Sequence, residues 1–238
     1  MSAGPNERGE PLAPTETALL EPESRDLVAR LATRSWAPDV YLAGSAALAL
    51  YLGHRPIRDL DLMSGSRRLA SAERRSLLED LLAFDPAARV ETARDGYLSL
   101  AMASGTLLRL YYYPYPLVDP ETELDGLGVA SAVDLGLMKL GAVISRGTKR
   151  DFVDLFLLCR RLSLAALLER AVDKFGHVRD FPLQALKGLA DRSLTEGEPM
   201  PRLAAELEWT QVERWLDGPV AALARERLGL AEGGRSRP

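Results

Sequence analysis

The chain has 238 residues, 47% of them apolar and 27% charged, a globular composition long enough for one large domain or two small ones. Its longest uncharged, mostly apolar run (40–53) is too short to cross a bilayer as a helix, and the first ten residues lack the apolar stretch of a signal peptide. One cysteine and two histidines exclude a disulfide framework, a cysteine-based zinc cluster and a histidine-rich metal site, so a cytoplasmic protein is expected.

The net charge of −4 is unevenly placed: residues 1–26 hold six acids against two arginines, while residues 139–161 hold six bases against two acids. Only four of the 30 basic residues are lysine. Arginine forks bind phosphates with two parallel hydrogen bonds, so the pattern permits a phosphate-rich partner without requiring one.

In chain order, residues 1–20 are rich in Pro, Gly and Glu with no apolar period and are expected to be disordered, as is the tail 232–238. A helix is predicted from Ser24 to about Thr33, then a short apolar strand at 40–42, Gly44-Ser45, and a strongly helical stretch from Ala46 to Leu52. Asp59-Leu60-Asp61-Leu62 has the period-two alternation of a half-buried strand, and a further helix is predicted over 70–83. Strands at 89–93, 97–103 and 106–113, separated by Asp95-Gly96 and Ser104-Gly105, read as an antiparallel meander. Helical spacing then takes over: 131–145 behind a capping-box-like Ser131…Asp134, 149–159, a helix capped by Ser163 that ends near Gly176, and one beginning at Thr210. The reading is an α+β lobe over 21–128 and an α-helical lobe over 129–231, with a cleft expected between them.

The chemistry concentrates around Gly44-Ser45 and Asp59-x-Asp61. Glycine lets backbone approach a ligand, and the unpaired N–H groups at the start of the following helix favour an anion such as a phosphate. Asp59 and Asp61, two apart on a strand, project to one face and suit one or two Mg²⁺ ions bridging a triphosphate and an attacking hydroxyl. Each motif alone recurs by chance in unrelated chains. The ordered combination of strand, Gly-Ser, helix and Asp-x-Asp strand is far more specific, and acids on a leucine-rich strand are costly without a cation.

This combination resembles the signature of the DNA polymerase β-like nucleotidyltransferase superfamily. More closely, Tyr41-Leu-Ala-Gly-Ser-Ala-Ala-Leu-Ala-Leu50, Gly53-His-Arg55 and Asp59-Leu-Asp61 resemble the AbiEii/AbiGii (MenT-like) toxin nucleotidyltransferases. Lys139-Leu-Gly-Ala142, Arg146 and Arg150-Asp151-x-x-Asp154-Leu155 match that family's later motifs in order and spacing, so the likeness covers roughly residues 36–160. It implies a minimal polymerase β-like lobe with a short mixed or antiparallel sheet, followed by a helical lobe. It further implies Mg²⁺-dependent transfer of NMP from an NTP to a hydroxyl, with the 3′ end of a tRNA as acceptor and a separately encoded antitoxin as partner.

On that likeness, Asp59 and Asp61 hold the metal, and Gly44 and Ser45 contact the triphosphate. Lys139, assisted by Arg146 one face-turn further on, reaches the phosphates, and one of Asp151 and Asp154 serves the site. The bland alternative for Asp154 is an exposed i,i+4 pair with Arg150 worth a few tenths of a kcal/mol. One departure stands out. Many polymerase β-like enzymes place a third carboxylate on a later strand, but the segment 106–113 has none, and Arg109 is its only charge, which leaves the number of metals open. Two other functions compete: a nucleotidyltransferase acting on a small molecule or a protein, and an inert module of the same fold that acts by binding. His54 is read as structural or nucleotide-adjacent, the tyrosines 111–113 and 115 as packing groups, and Cys159, Trp209 and Trp215 as core.

Overall fold

Seven short strands build one mixed sheet in the computed structural model, which describes residues 20–229. The expected disordered ends lie outside the described residues, apart from Leu20, which forms a bridge with Ile57. The strands are β1 (Tyr41–Ala43), β2 (Leu60–Ser64), β3 (Arg89–Arg94), β4 (Tyr97–Ala101), β5 (Leu107–Tyr112), β6 (Thr122–Leu124) and β7 (Leu127–Val129), in the order β3-β4-β5-β2-β1-β7-β6. The expected meander is present as β3-β4-β5, antiparallel throughout. β5 then runs parallel to β2, β2 antiparallel to β1, and β1 parallel to β7. β6 and β7 were not anticipated: each has three residues, too few to show a period, and they turn at Asp125-Gly126, both at positive φ.

Three helices accompany the sheet: α1 (Pro22–Ala32), α2 (Gly44–Leu52) and α3 (Ser71–Phe84). α2 carries no charge and buries every residue from Ala46 to Tyr51, consistent with its contacts to β1 and β2. α1 is amphipathic, burying Leu27, Val28 and Leu31. α3 buries only Leu77 and Leu81, and its Asp80 accepts hydrogen bonds from Trp36 and, in a two-armed pair, from Arg34.

The chain divides into two compact units between Leu135 and Gly136, inside α4 (Ala132–Ser145). The α4 start is held by Ser131, whose hydroxyl accepts from the Asp134 N–H at 2.9 Å and donates to its carboxylate at 2.7 Å. The second unit is wholly helical among the described residues: the rest of α4, then α5 (Lys149–Cys159), α6 (Leu164–Phe175), α7 (Phe181–Ala190), α8 (Trp209–Trp215) and α9 (Ala221–Arg227). Gly136 lets α4 approach α6, since a Cβ there would lie 2.9 Å from Leu167. Ser163 caps α6 as expected, accepting from Ala166.

Three differences from the sequence reading have local causes. α7 was not anticipated; Pro182 falls in its first turn, where its missing N–H costs nothing, and Phe181 stacks on Phe175 with centroids 4.1 Å apart. The expected last long helix is split by a wide turn at Leu216–Val220, which contains Pro219. Trp209 and Trp215 are half-buried rather than core, set edge-on to Phe152 and Phe156 at 6.1 and 5.7 Å. Cys159 is likewise half-buried rather than core, and desolvation pushes its thiol up to about 12.

Candidate active site

β1 passes into α2 without a loop, and the join is Gly44. Its φ of +61° is a left-handed conformation that favours glycine. A second constraint acts at the same atom: a Cβ on Gly44 would collide with the Asp61 carboxylate. The cause is register, because Ala43 stands opposite Asp61 in the β1–β2 pair. The sheet therefore delivers an acid to the helix start, where the first N–H groups of α2 face outward without intrahelical partners. Ser45, next in the chain, is half-buried, and its hydroxyl accepts from Arg55 at 2.6 Å. Arg55 also donates to His54 Nε2 at 3.2 Å, and both residues are buried. Gly53, at a φ of 60°, ends α2 and turns the chain so that the Arg55 side chain returns to Ser45 in its first turn.

β2 has the expected alternation. Leu60, Leu62 and Ser64 are buried, while Asp61 and Met63 share the other face. Asp59 stands one residue before the strand rather than in it, yet it faces the same way as Asp61. The proof is Arg109 on β5, opposite Asp61 in the parallel pair. Its Nη1 donates to Asp61 at 2.8 Å and its Nη2 to Asp59 at 2.9 Å. The Asp59 side chain is 45% exposed and Asp61 19%, so the pair is open to a ligand. Burial works against the Arg109 charge, but the two carboxylates outweigh it and raise its pKa above the usual arginine value.

The second unit carries a different cluster. Lys139 on α4 donates to Asp151 at 3.1 Å and pairs with Asp154 at 2.7 Å. Both aspartates lie on α5 and are fully buried; Lys139 is 7% exposed. Arg146 falls just past the end of α4 and grips Asp151 with two nitrogens at 2.7 and 2.8 Å, while the Thr148 hydroxyl donates to the same carboxylate at 2.7 Å. Burial pushes the Asp151 carboxyl up, but Arg146, Lys139 and Thr148 together bring it down to about 2. The exposed Arg150–Asp154 pair is overturned: Asp154 is buried against Lys139, and Arg150 is exposed. Both aspartates reach the lysine.

Sequence reasoning placed Asp59, Asp61, Gly44 and Ser45 together, as the structure does. It missed the two arginines that complete the group. Arg109 was noted only as an odd charge on a strand, and the signal was its period-two placement between buried Leu108 and Leu110. Arg55 lay in the Gly-His-Arg motif, with no sequence cue that it returns to Ser45. The tyrosines pack as read, Tyr97 on Tyr111 and Tyr113 on Tyr115, with centroids 4.9 and 4.7 Å apart.

The two open carboxylates converging on one cation suit a hard divalent ion in donor type and direction. No third acid joins them: among the described residues no group of three or more His, Cys, Asp or Glu could hold a metal. Nor, among these residues, is any helix long and apolar enough to cross a membrane.

Residues 25–214 match the model of a family described as nucleotidyl transferase AbiEii toxin, type IV toxin–antitoxin system. An uncharacterised protein of Aquifex aeolicus is 29% identical over 157 residues, 60% of this chain and 68% of its own length. Among solved structures the chain is similar to MenT4, a nucleotidyltransferase toxin of Mycobacterium tuberculosis (TM-score 0.54, 17% identity, 87% of this chain and 92% of that one). A protein of Helicobacter pylori named as a candidate nucleotidyltransferase gives a TM-score of 0.49 at 16% identity, over 89% of this chain and 99% of that one. The resemblance read from the motifs and the α+β fold class both stand.

Proposed function

Because the chain belongs to the AbiEii nucleotidyltransferase toxin family of type IV toxin–antitoxin systems, we propose that it uses Mg²⁺ to transfer a nucleoside monophosphate from an NTP to the 3′ hydroxyl of a tRNA. The acceptor oxygen bonds to the α-phosphorus as the bond to the β-phosphate breaks, and pyrophosphate leaves; the hydroxyl proton goes to a nearby base or to water. The observation that carries this reading is the Asp61 carboxylate set against Gly44 at the start of α2. Metal-binding oxygen and phosphate-binding N–H groups meet there through the register of two strands.

Asp59 and Asp61 hold the metal in this reading. When bound, Mg²⁺ supplies positive charge to the phosphate oxygens and to the attacking hydroxyl. Gly44 and Ser45 receive the triphosphate at the helix start, and Arg55 adds a buried positive charge at the Ser45 hydroxyl. Lys139 and Arg146 carry over from the motif likeness as phosphate-binding residues. Asp151 and Asp154 orient the Lys139 ammonium. Positioning and electrostatics do most of the work in such a transfer.

An RNA acceptor is supported by the basic excess over 139–161 and an antitoxin partner by the family's toxin–antitoxin description, and a cytoplasmic setting belongs to the same reading. Not all six bases are open to a partner: Lys139 and Arg146 are engaged with Asp151, and Lys149 donates to the Glu198 carbonyl. That observation favours, as the second reading, a small-molecule or protein acceptor.

One assay separates the readings. Full-length protein and an Asp59→Ala, Asp61→Ala variant are incubated with Mg²⁺, each α-labelled NTP and total RNA. Label entering a tRNA-sized band with wild type alone is the expected result. Label in protein or in a small product moves the acceptor to the second reading. No transfer, together with no rise in Tm on adding NTP and Mg²⁺, overturns the catalytic reading.

A further inference from the structure

The face of the sheet that bears Asp59 and Asp61 also bears a positive charge, and the backbone puts it there. Arg109 is opposite Asp61 in the five-residue parallel register of β2 and β5, between Leu108 and Leu110 on the buried face. Its fork is not spent on one carboxylate: Nη1 goes to Asp61 Oδ1 at 2.8 Å and Nη2 to Asp59 Oδ2 at 2.9 Å. Of the remaining oxygens, Asp59 Oδ1 accepts a long hydrogen bond of 3.4 Å from the Leu107 N–H, and Asp61 Oδ2 lies against Gly44.

The charges can be summed. The two carboxylates and the Arg109 that bridges them leave a net −1 as a trio, which attracts one divalent ion, while Arg55 adds its positive charge further off, at the Ser45 hydroxyl. A second ion would have to settle beside a guanidinium with no third acid among the described residues to offset it. Asp61 Oδ2, on the side away from Arg109, is the donor that faces the helix start.

We propose that Arg109 is the resident counter-ion of this site: it holds Asp59 and Asp61 converged and restricts the site to a single divalent ion. The inference rests on the reading of Asp59 and Asp61 as metal ligands and deepens it. Arg109 is a positioning residue that acts through the two carboxylates.

The test is a Mn²⁺ titration of the full chain, free Mn²⁺ being read by electron paramagnetic resonance, with and without an α,β-methylene NTP. Wild type is expected to bind one Mn²⁺ per chain. Arg109→Met, restoring the full −2, is expected to bind the first ion at least about tenfold more tightly and to accept a second. Arg109→Lys keeps the charge and is expected to stay at one ion. Without metal, Arg109→Met is expected to melt below wild type and to recover more on adding Mn²⁺. A folded Arg109→Met variant that binds Mn²⁺ no more tightly than wild type overturns the proposal. So does a stoichiometry of two in wild type, a readout that holds even where Arg109→Met fails to fold. Wild-type Mn²⁺ binding unchanged by Asp59→Asn, Asp61→Asn overturns the underlying reading of the ligands, a result distinct from either of these.

Discussion

Two clusters in this protein pair two aspartates with a base, and they differ in burial. In the sheet unit, Asp59 and Asp61 are partly open and are bridged by Arg109. In the helical unit, Asp151 and Asp154 are fully buried and converge on Lys139. An open pair tolerates mutual repulsion because water and an incoming cation relieve it. A buried pair survives only with its counter-charges in place. The same residue types thus stand partly open in one unit and enclosed in the other, and solvent access is the difference between them.

The sharpest way to break this comparison is to neutralise one acid of the open pair. Asp61→Asn is expected to lower nucleotidyl transfer by about a thousandfold or more, while Tm stays near wild type because Arg109 keeps Asp59. A labelled-NTP assay with parallel calorimetry reads both. Loss of fold together with activity would erase the distinction.

The opposite signature is expected from the buried cluster. Lys139→Met removes the ammonium from two buried carboxylates and is expected to cost about 3–5 kcal/mol, read as a lower midpoint in urea unfolding. If the variant unfolds like wild type, the cluster is not a structural one.

Acid sharpens the contrast further. The Asp151 pKa is lowered from 3.8 to about 2 in the folded chain, so its contribution is present above 3.8 and is lost as pH falls towards about 2. The shift corresponds to about 2 kcal/mol. Asp151→Asn is expected to flatten the acid limb of the stability curve in that window, measured by chemical denaturation at stepped pH.

The smallest expected effect belongs to Arg150→Ala. Arg150 is exposed and Asp154 is committed to Lys139, so the cost is expected to be under about 0.5 kcal/mol. A larger loss would restore the surface pair that the structure replaces.

How much could be read from residues alone follows their spacing. Helices α1 to α6 and strands β1 to β5 were legible because apolar period, glycine turns and serine caps are local. β6, β7 and α7 were not, since two strands of three residues and a helix behind a left-handed Asp180 carry too little pattern. Gly44, Ser45, Asp59 and Asp61 were legible as one motif, and the grouping of Lys139 with Asp151 and Asp154 was legible by likeness.

By itself, then, the sequence determined the order of elements and which residue types carry charge along them, because both are properties of neighbours in the chain. Only the tertiary structure decided which charges meet. Arg109 reaches Asp59 and Asp61 across about fifty positions through strand register, and Arg55 reaches Ser45 through the turn at Gly53. Burial, too, is a property of the fold: it leaves one aspartate pair partly open and encloses the other, and no spacing along the chain encodes that difference.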